Sequence, residues 1–181
     1  MQDARLLREQ FVRYLNKDFP SDVKVIDGKD VGKEDYPLAT VIIPTLDAYR
    51  DGYFPKLLEE IKKQNFQNFE LIIVKGDPRQ GRAINTAASL AKGKILIILD
   101  DDISFGHTQA FENLIKTLEE NPDIAMAGVS NQIPESASWF VKRVMKELPR
   151  KDSALVDTIT DSDMAEHPCC AIPKRIFYAI G

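Results

Sequence analysis

The chain has 181 residues, of which 44% are hydrophobic and 29% are charged, and its formal net charge is -4. This length and composition are typical of one soluble globular domain, or of part of a larger one, and they exclude two full domains. The negative charge provides no electrostatic footprint for nucleic acid, so no nucleic-acid partner is predicted. No segment approaches the roughly 20 apolar residues of a membrane span, and the charged N-terminus lacks the apolar core of a secretory signal.

The two cysteines, Cys169 and Cys170, are adjacent in the sequence. Adjacency argues against a disulfide framework or a zinc site, so the sequence predicts two buried free thiols in a strand. Free thiols fit a reducing compartment, so the predicted location is the cytoplasm. Attachment to the inner face of a membrane is the alternative, and it would require segments of a longer protein.

Apolar periodicity and turn residues divide the chain into alternating elements. The N-terminal part, 1–36, is predicted as one helix and a polar connection, and 37–181 as the folded domain. In chain order the predicted elements are a helix over 2–16, a strand over 39–45, a helix over 55–64, a strand over 69–77, a helix over 82–92, a strand over 95–99, a helix over 108–120, a strand over 124–130, a helix over 138–148, strand-like segments over 154–160 and 169–172, and a helix beginning at 173.

Alternating strands and helices predict an α/β fold with an open, mostly parallel sheet that is covered by helices on both faces. In such sheets the ligand crevice lies at the carboxyl ends of the strands. Three loops are therefore expected to converge there, "PTLDAYRD" over 44–51, "KGDPRQGR" over 75–82 and "DDDISFG" over 100–106.

The acidic cluster directly follows the most apolar strand. Asp100, Asp101 and Asp102 come after five apolar residues without a spacer. Like charges about 4 Å apart repel by about 1 kcal/mol in water and about 4 kcal/mol near a protein surface, so a bound cation is the expected compensation. Alternation along an extended chain predicts Asp100 and Asp102 on one side, which suits Mg²⁺ or Mn²⁺ completed by substrate phosphates. The alternative is a solvated acidic turn.

The segment "GDPRQGRAIN" over 76–85 places two glycines and two arginines ahead of a helix. Free amides at a helix N-terminus favour anions, so this loop is a candidate phosphate contact. It has neither a Walker A pattern nor a dinucleotide fingerprint, and a plain surface turn is the alternative.

These segments together resemble glycosyltransferase family 2, the nucleotide-sugar-dependent enzymes with the GT-A (Rossmann-like) fold. "TVIIPTLD" over 40–47 is similar to the family's first strand and uridine-side loop. "KKQNFQNFELIIVKGD" over 62–77 resembles the second strand segment, and "GRAINTAASLAKGKILIILDDDI" over 81–103 resembles the G-x-A-x-N helix and the D-x-D strand. The resemblance returns at "CCAIPKRIFYAIG" over 169–181.

The resemblance implies a divalent-metal-dependent, inverting transfer of sugar from a nucleoside-diphosphate sugar of UDP or GDP type. The acceptor would be the hydroxyl of a glycan, a lipid or a small molecule, as in glycan or polysaccharide biosynthesis. Asp100 and Asp102 would be the metal ligands, for Mn²⁺ or Mg²⁺. The implied nucleotide-sugar site consists of Pro44, Thr45, Asp47, Lys75, Asp77, Arg82, Asn85, Asp100 and Asp101. For Thr45 and Asp47, loop capping is the alternative.

Three departures from the family pattern carry expectations. Lys75 and Gly76 stand where an aspartate pair usually reads the base. Only six residues separate Val74 from Gly81, so the sheet is expected to lack the edge strand that the family inserts there. The family's general base would follow a helix like the last one, and the sequence ends at Gly181, so a truncated catalytic domain is expected.

Weak substitutes for the base lie in "TDSDMAEHP" over 160–168, where Asp163 and Glu166 are the candidates. Trp139 and Phe140 are expected to pack into the core, with an acceptor groove as the alternative. Two rival functions remain, a non-catalytic nucleotide-sugar-binding or partner-binding module of the same fold, and a phosphorylation-receiver domain. A receiver domain carries its acidic pair after the first strand, where this chain has "PTLD".

Overall fold

The structure is a computed structural model of the chain and describes residues 21–32, 36–147, 158–160 and 168–180. The strands are β1 (Asp22–Asp27), β2 (Ala39–Thr45), β3 (Phe69–Lys75), β4 (Ile95–Leu99), β5 (Ala127–Gly128) and β6 (Cys169–Pro173). The helices are α1 (Tyr53–Lys62), α2 (Gln80–Leu90), α3 (Ala110–Glu120), α4 (Trp139–Glu147) and α5 (Lys174–Ile180), and a short 3-10 turn, Arg50–Gly52, precedes α1. The helix predicted over 2–16 lies outside the described residues.

The strands form one open sheet in the order β1-β3-β2-β4-β6-β5. The central strands β3, β2 and β4 are parallel, whereas β1, β6 and β5 pair antiparallel at the two sides. Helices cover the central strands, as their fully buried residues require. The predicted open α/β sheet of GT-A type is confirmed, and its parallel part is the centre of a mixed sheet.

The edge beside β3 is occupied by β1, which the sequence predicts as part of a polar connection. β1 runs antiparallel to β3, from Asp22 opposite Lys75 to Asp27 opposite Glu70. All six residues of β1 are exposed, so its apolar residues, Val23, Val25 and Ile26, give the strand no buried face. No strand lies between β3 and α2, as expected. An N-terminal segment fills the place left at the edge of the sheet.

Side-chain alternation along the strands separates two cores. On one face Ile43 and Ile97 pack with Leu57 of α1 and Phe111 of α3. On the other face the apolar residues of the strands meet a helix rich in alanine, α2, whose Ala83, Ala87 and Ala88 are fully buried. Burying one Val, Ile, Leu or Phe side chain contributes about 1.5–3 kcal/mol, so these two layers fix the strand ends that form the crevice.

The connection from α2 to β4 is anchored by a buried carboxylate at the opposite end of the sheet from the crevice. Glu70 accepts hydrogen bonds from Thr40 Oγ1 (2.8 Å) and from the backbone N–H groups of Lys92 and Gly93. A side chain on Gly93 would collide with the backbone of Ala39 and Thr40. Gly93 is therefore required for the close approach of this connection to β2.

The predicted pair of buried free thiols is confirmed, since Cys169 and Cys170 are buried in β6 and unpaired. Burial raises the pKa of Cys169 and, to about 11, that of Cys170. Both thiols are therefore protonated and unreactive at neutral pH.

The prediction that Trp139 and Phe140, on α4, pack into the core is wrong. The exposed fractions of Trp139 and Phe140 are 79% and 64%, and no residue of α4 is buried. Helical periodicity is present, but the described residues provide no layer against which this helix could bury its apolar side. Within the described segments, no helix combines the length and apolarity needed to cross a bilayer.

Candidate functional site

The carboxyl ends of the parallel strands β2, β3 and β4 lie side by side at one end of the sheet. Thr45 lies opposite Lys75 in the parallel register, and the Gly76 N–H donates a hydrogen bond to the Thr45 carbonyl at 3.0 Å. The acidic cluster follows directly after Leu99 of β4. The three predicted loops therefore converge, as parallel strands require.

A threonine ties the acidic cluster to the neighbouring strand. Thr45 Oγ1 donates a 2.6 Å hydrogen bond to Asp101 Oδ2 and accepts one from the Ala48 N–H at 3.0 Å. Thr45 is buried and the Asp101 side chain is nearly so. Asp101 is thereby held by a buried side chain, and Thr45 both caps the loop and supports the cluster.

An arginine from the same loop compensates the cluster's charge. Arg50 Nε and Nη2 donate to Asp102 Oδ2 at 3.2 and 3.0 Å, and Arg50 Nε lies 3.6 Å from Asp101 Oδ1. The hydrogen bond to Asp102 and the two nearby carboxylates raise the pKa of Arg50. Both partners are exposed, 56% for the Arg50 side chain and 42% for that of Asp102.

The loop that carries Arg50 has an unusual backbone. Ala48, Arg50 and Asp51 have φ angles of 60°, 45° and 53°, in the left-handed region, and Gly52 follows at 85°. A non-glycine residue there costs of order 1 kcal/mol, and such strain is concentrated at functional sites. Asp47 holds the loop by accepting hydrogen bonds from the Arg50 and Tyr49 N–H groups, and these bonds lower the pKa of its carboxyl. The contacts of Asp47 are those of a loop cap.

On the other side of the crevice, Asp77 and Arg82 form a buried ion pair. Arg82 Nε and Nη2 reach the two carboxylate oxygens of Asp77 at 2.6 Å each. The side chains are only 2% and 11% exposed, for Asp77 and Arg82 respectively. The Arg82 guanidinium and the Arg79 N–H lower the pKa of Asp77 against the opposing effect of burial. The pair fixes the start of α2, and Asn85 lies half-buried on the same helix.

Asp100, the remaining aspartate of the cluster, faces the side of the crevice formed by the start of α2. Gln80 Nε2 donates to Asp100 Oδ1 at 2.7 Å, and the Asp100 N–H donates to the Pro168 carbonyl at 3.0 Å. Asp101 and Asp102 share Arg50, so the alternation expected beyond β4 differs from the observed one. The reason is local, because Asp101 and Asp102 lie in a turn rather than in an extended chain.

The remaining predicted residues lie around this edge. Pro44 is buried within β2, and Lys75 is exposed at the end of β3. Neither Arg50 nor Gln80 belongs to the site residues predicted from the sequence, although each lies in one of the converging loops. An arginine in a loop that converges on three aspartates signals a cation near the cluster, although it does not say which carboxylate the arginine binds. Asp163 and Glu166 lie outside the described residues.

The acidic cluster is the candidate site for a divalent cation. Among the described residues, no group of three or more histidine, cysteine, aspartate or glutamate side chains is arranged to hold a metal ion. The carboxylates of Asp100 and Asp102 are hard-oxygen ligands at the mouth of a crevice. Asp100 is bonded to Gln80 and Asp102 to Arg50, so they do not form a ready-made pair. Each fits a Mg²⁺ or Mn²⁺ ion as a single-oxygen ligand, with the other ligands coming from phosphate oxygens and water.

An open sheet of this order, with an acidic cluster at the end of a central strand, defines a fold of the GT-A class. Residues 75–181 match the family model described as glycosyl transferase family 2, and the chain belongs to that family. No curated protein matches the sequence.

A solved structure shares the fold. It is the mannosyltransferase PcManGT from Pyrobaculum calidifontis in complex with GDP-Man and Mn²⁺, with a TM-score of 0.58 and 17% sequence identity. The match covers 97% of this chain and 53% of the other, so the chain spans about half the length of that protein. At this identity the likeness concerns the fold.

Proposed function

We propose that the chain binds a nucleoside-diphosphate sugar, of UDP or GDP type, as the donor-binding part of an inverting, divalent-metal-dependent glycosyltransferase. The observation that carries the proposal is the convergence of Thr45, Asp101 and Asp102 at the carboxyl ends of adjacent parallel strands. Membership of the family supports the reaction class. The similar structure is a complex with GDP-Man and Mn²⁺, which supports the donor class and the cation.

The donor's parts are assigned by position along the edge of the sheet. The nucleoside is proposed to lie at the loops after β2 and β3, and the diphosphate between the acidic cluster and the start of α2. The residues assigned to this site are Pro44, Thr45, Asp47, Lys75, Asp77, Arg82, Asn85, Asp100 and Asp101. Arg82 would act mainly by holding the α2 N-terminus, since its guanidinium is engaged by Asp77.

Asp102 and Asp100 are the proposed ligands of Mn²⁺ or Mg²⁺. When bound, the cation supplies charge stabilisation to the departing diphosphate. Thr45 keeps Asp101 fixed beside these ligands, so the cluster holds its shape as charges change around it. Removal of the acceptor proton needs a carboxylate, which commonly contributes about 10²- to 10⁴-fold in rate. Asp163 and Glu166 stay weak predictions for that role, and the acceptor would be a glycan, lipid or small-molecule hydroxyl.

A binding module without turnover is the second candidate. It is favoured by Lys75 at the end of β3, where a base-reading carboxylate would be expected, and by the engagement of Asp77 in an ion pair. Both candidates predict donor binding, so turnover distinguishes them.

Isothermal titration of the protein with GDP-mannose and with a UDP-sugar, with and without Mn²⁺, tests the proposal. We expect one donor type to bind only when Mn²⁺ is present. Asp102→Asn should weaken that binding by at least the roughly 10- to 100-fold that follows loss of a ligand's supporting partner, because Asp102 is itself a proposed ligand. Glu119→Gln, which removes an exposed carboxylate on α3, is the matched control and should bind as the wild type does.

Absence of binding by both donor types in the presence of Mn²⁺ would refute the proposal. If a donor binds, release of free sugar or transfer to an acceptor identifies an enzyme. Binding without either supports the donor-binding role and argues against turnover by this chain alone.

A further inference from the structure

Arg50 is bound to one of the two carboxylate oxygens of a proposed metal ligand, Asp102. Both of its donating nitrogens, Nε and Nη2, reach the same atom, Asp102 Oδ2, at 3.2 and 3.0 Å. The 3.6 Å approach to Asp101 Oδ1 places one positive charge between two carboxylates. A divalent cation on either oxygen of this carboxylate would lie close to the guanidinium, and the two positive charges would repel each other, so they compete for Asp102.

The pair is built so that it can open. Arg50 and Asp102 are 52 residues apart in the sequence and both are largely exposed, so water can replace either partner when the ion pair separates. Asp101, in contrast, is held by Thr45 independently of Arg50. Opening the pair therefore leaves the cluster in place and frees one oxygen.

The backbone conformation of the loop that carries Arg50 also indicates that the ion pair can open. Ala48, Arg50 and Asp51 all have left-handed φ angles, and Gly52 follows with a φ of 85°. Non-glycine residues persist in that region only where surrounding contacts hold them. The holding contacts include the Thr45 and Asp47 caps at the loop start and the ion pair with Asp102. Loss of the ion pair removes the contact that holds the Arg50 side chain.

We propose that Arg50 is a tethered cation, which neutralises Asp102 and competes there with a divalent metal. The inference rests on the proposed function, because it takes Asp102 as a metal ligand. It adds a positioning residue and a competition to that site. Arg50 would set the metal affinity and make stable metal binding depend on the arrival of the diphosphate.

Direct measurement of Mn²⁺ affinity tests the competition. Free Mn²⁺ is followed by its electron paramagnetic resonance signal as wild type and Arg50→Ala are titrated, alone and with GDP. We expect Arg50→Ala to bind Mn²⁺ about two- to fivefold more tightly, the gain from removing one exposed competing ion pair. Arg50→Lys, which keeps the charge, should stay close to the wild type.

Lys63→Ala is the matched control, because it removes one exposed positive charge at the end of α1 and leaves the cluster untouched. It separates competition at Asp102 from a general change in net charge. Equal gains in Lys63→Ala and Arg50→Ala would overturn the inference. A second readout is the Arg50 Nε–H resonance, identified by its loss in Arg50→Lys, which should shift when Mg²⁺ and GDP are added together.

The two proposals fail differently. If wild type binds Mn²⁺ with GDP but Arg50→Ala binds no more tightly, the tethered-cation inference is overturned and the proposed function stands. If neither protein binds Mn²⁺ with or without GDP, both are overturned.

Discussion

Two arginine–aspartate pairs flank the crevice, and they differ in almost every physical respect. Arg82 and Asp77 are five residues apart, buried, and joined by two hydrogen bonds of 2.6 Å to separate oxygens. Arg50 and Asp102 are 52 residues apart, exposed, and joined through a single oxygen at 3.0 to 3.2 Å. The same two residue types therefore form a fixed part of the fold on one side and an exchangeable contact on the other.

The difference teaches that burial, rather than residue type, decides what an ion pair does. A buried carboxylate that loses its partner is left as an uncompensated charge, which is costly. An exposed carboxylate that loses its partner is solvated, which costs little. A ligand can therefore displace Arg50 at low cost, whereas displacement of Arg82 would disturb the start of α2.

The largest expected effect comes from breaking the buried pair. Arg82→Ala should lower the free energy of unfolding by about 3 kcal/mol, at the low end for a buried charge that loses its partner, because the Arg79 N–H still donates to Asp77. Urea unfolding followed by circular dichroism measures it. Lys63→Ala, at an exposed site, should leave the unfolding midpoint unchanged. Equal stability of Arg82→Ala and wild type would show that the two pairs do not differ as described.

Acid should weaken the same pair more gently, because protonation neutralises Asp77 instead of leaving it charged. Arg82 lowers the pKa of Asp77 below its ordinary 3.8, so the pair's contribution is complete above that value and is lost as pH falls through the folded-state pKa. Asp47 has a lowered pKa too and adds to the total acid loss. The stability difference between wild type and Asp77→Asn isolates Asp77.

Urea unfolding of both proteins between pH 6 and pH 3 should show that difference constant down to about pH 4 and shrinking below it. A difference that grows as the pH falls would contradict the lowered pKa of Asp77.

The central strands could be predicted from sequence because local signals and tertiary packing agree there. β2 and β4 are apolar on both faces, and their bounds, Ala39–Thr45 and Ile95–Leu99, are those predicted. β1 was unpredictable for the opposite reason. Its residues are exposed, and only pairing with β3 makes it a strand. Trp139 and Phe140 show the same limit, since periodicity indicates a helix but not what covers it.

The candidate site, like the fold, has one part that the sequence predicts and one part that it does not. Topology places the ends of parallel strands together, so the convergence of Thr45 with the acidic cluster follows from the strand order. The partner of each carboxylate does not follow, because it depends on loop conformation. Arg50 reaches Asp102 only through a loop with left-handed residues, and no local sequence rule assigns that conformation to Ala48.

The smallest expected effect concerns two neighbouring carboxylates of the acidic cluster. Asp101 is held by Thr45, whereas Asp102 is held by the exposed Arg50. Thr45→Val keeps a β-branched residue in β2 but removes the hydroxyl that joins Asp101 to the Ala48 N–H. We expect a loss of about 1 kcal/mol in the free energy of unfolding, the usual net value of a hydrogen bond, because Asp101 can still reach water. Thr45→Ser retains the hydroxyl and should lose less. If urea unfolding gives equal losses for both variants, packing in β2 rather than the hydroxyl holds this end of the crevice, and Asp101 is no more firmly fixed than Asp102.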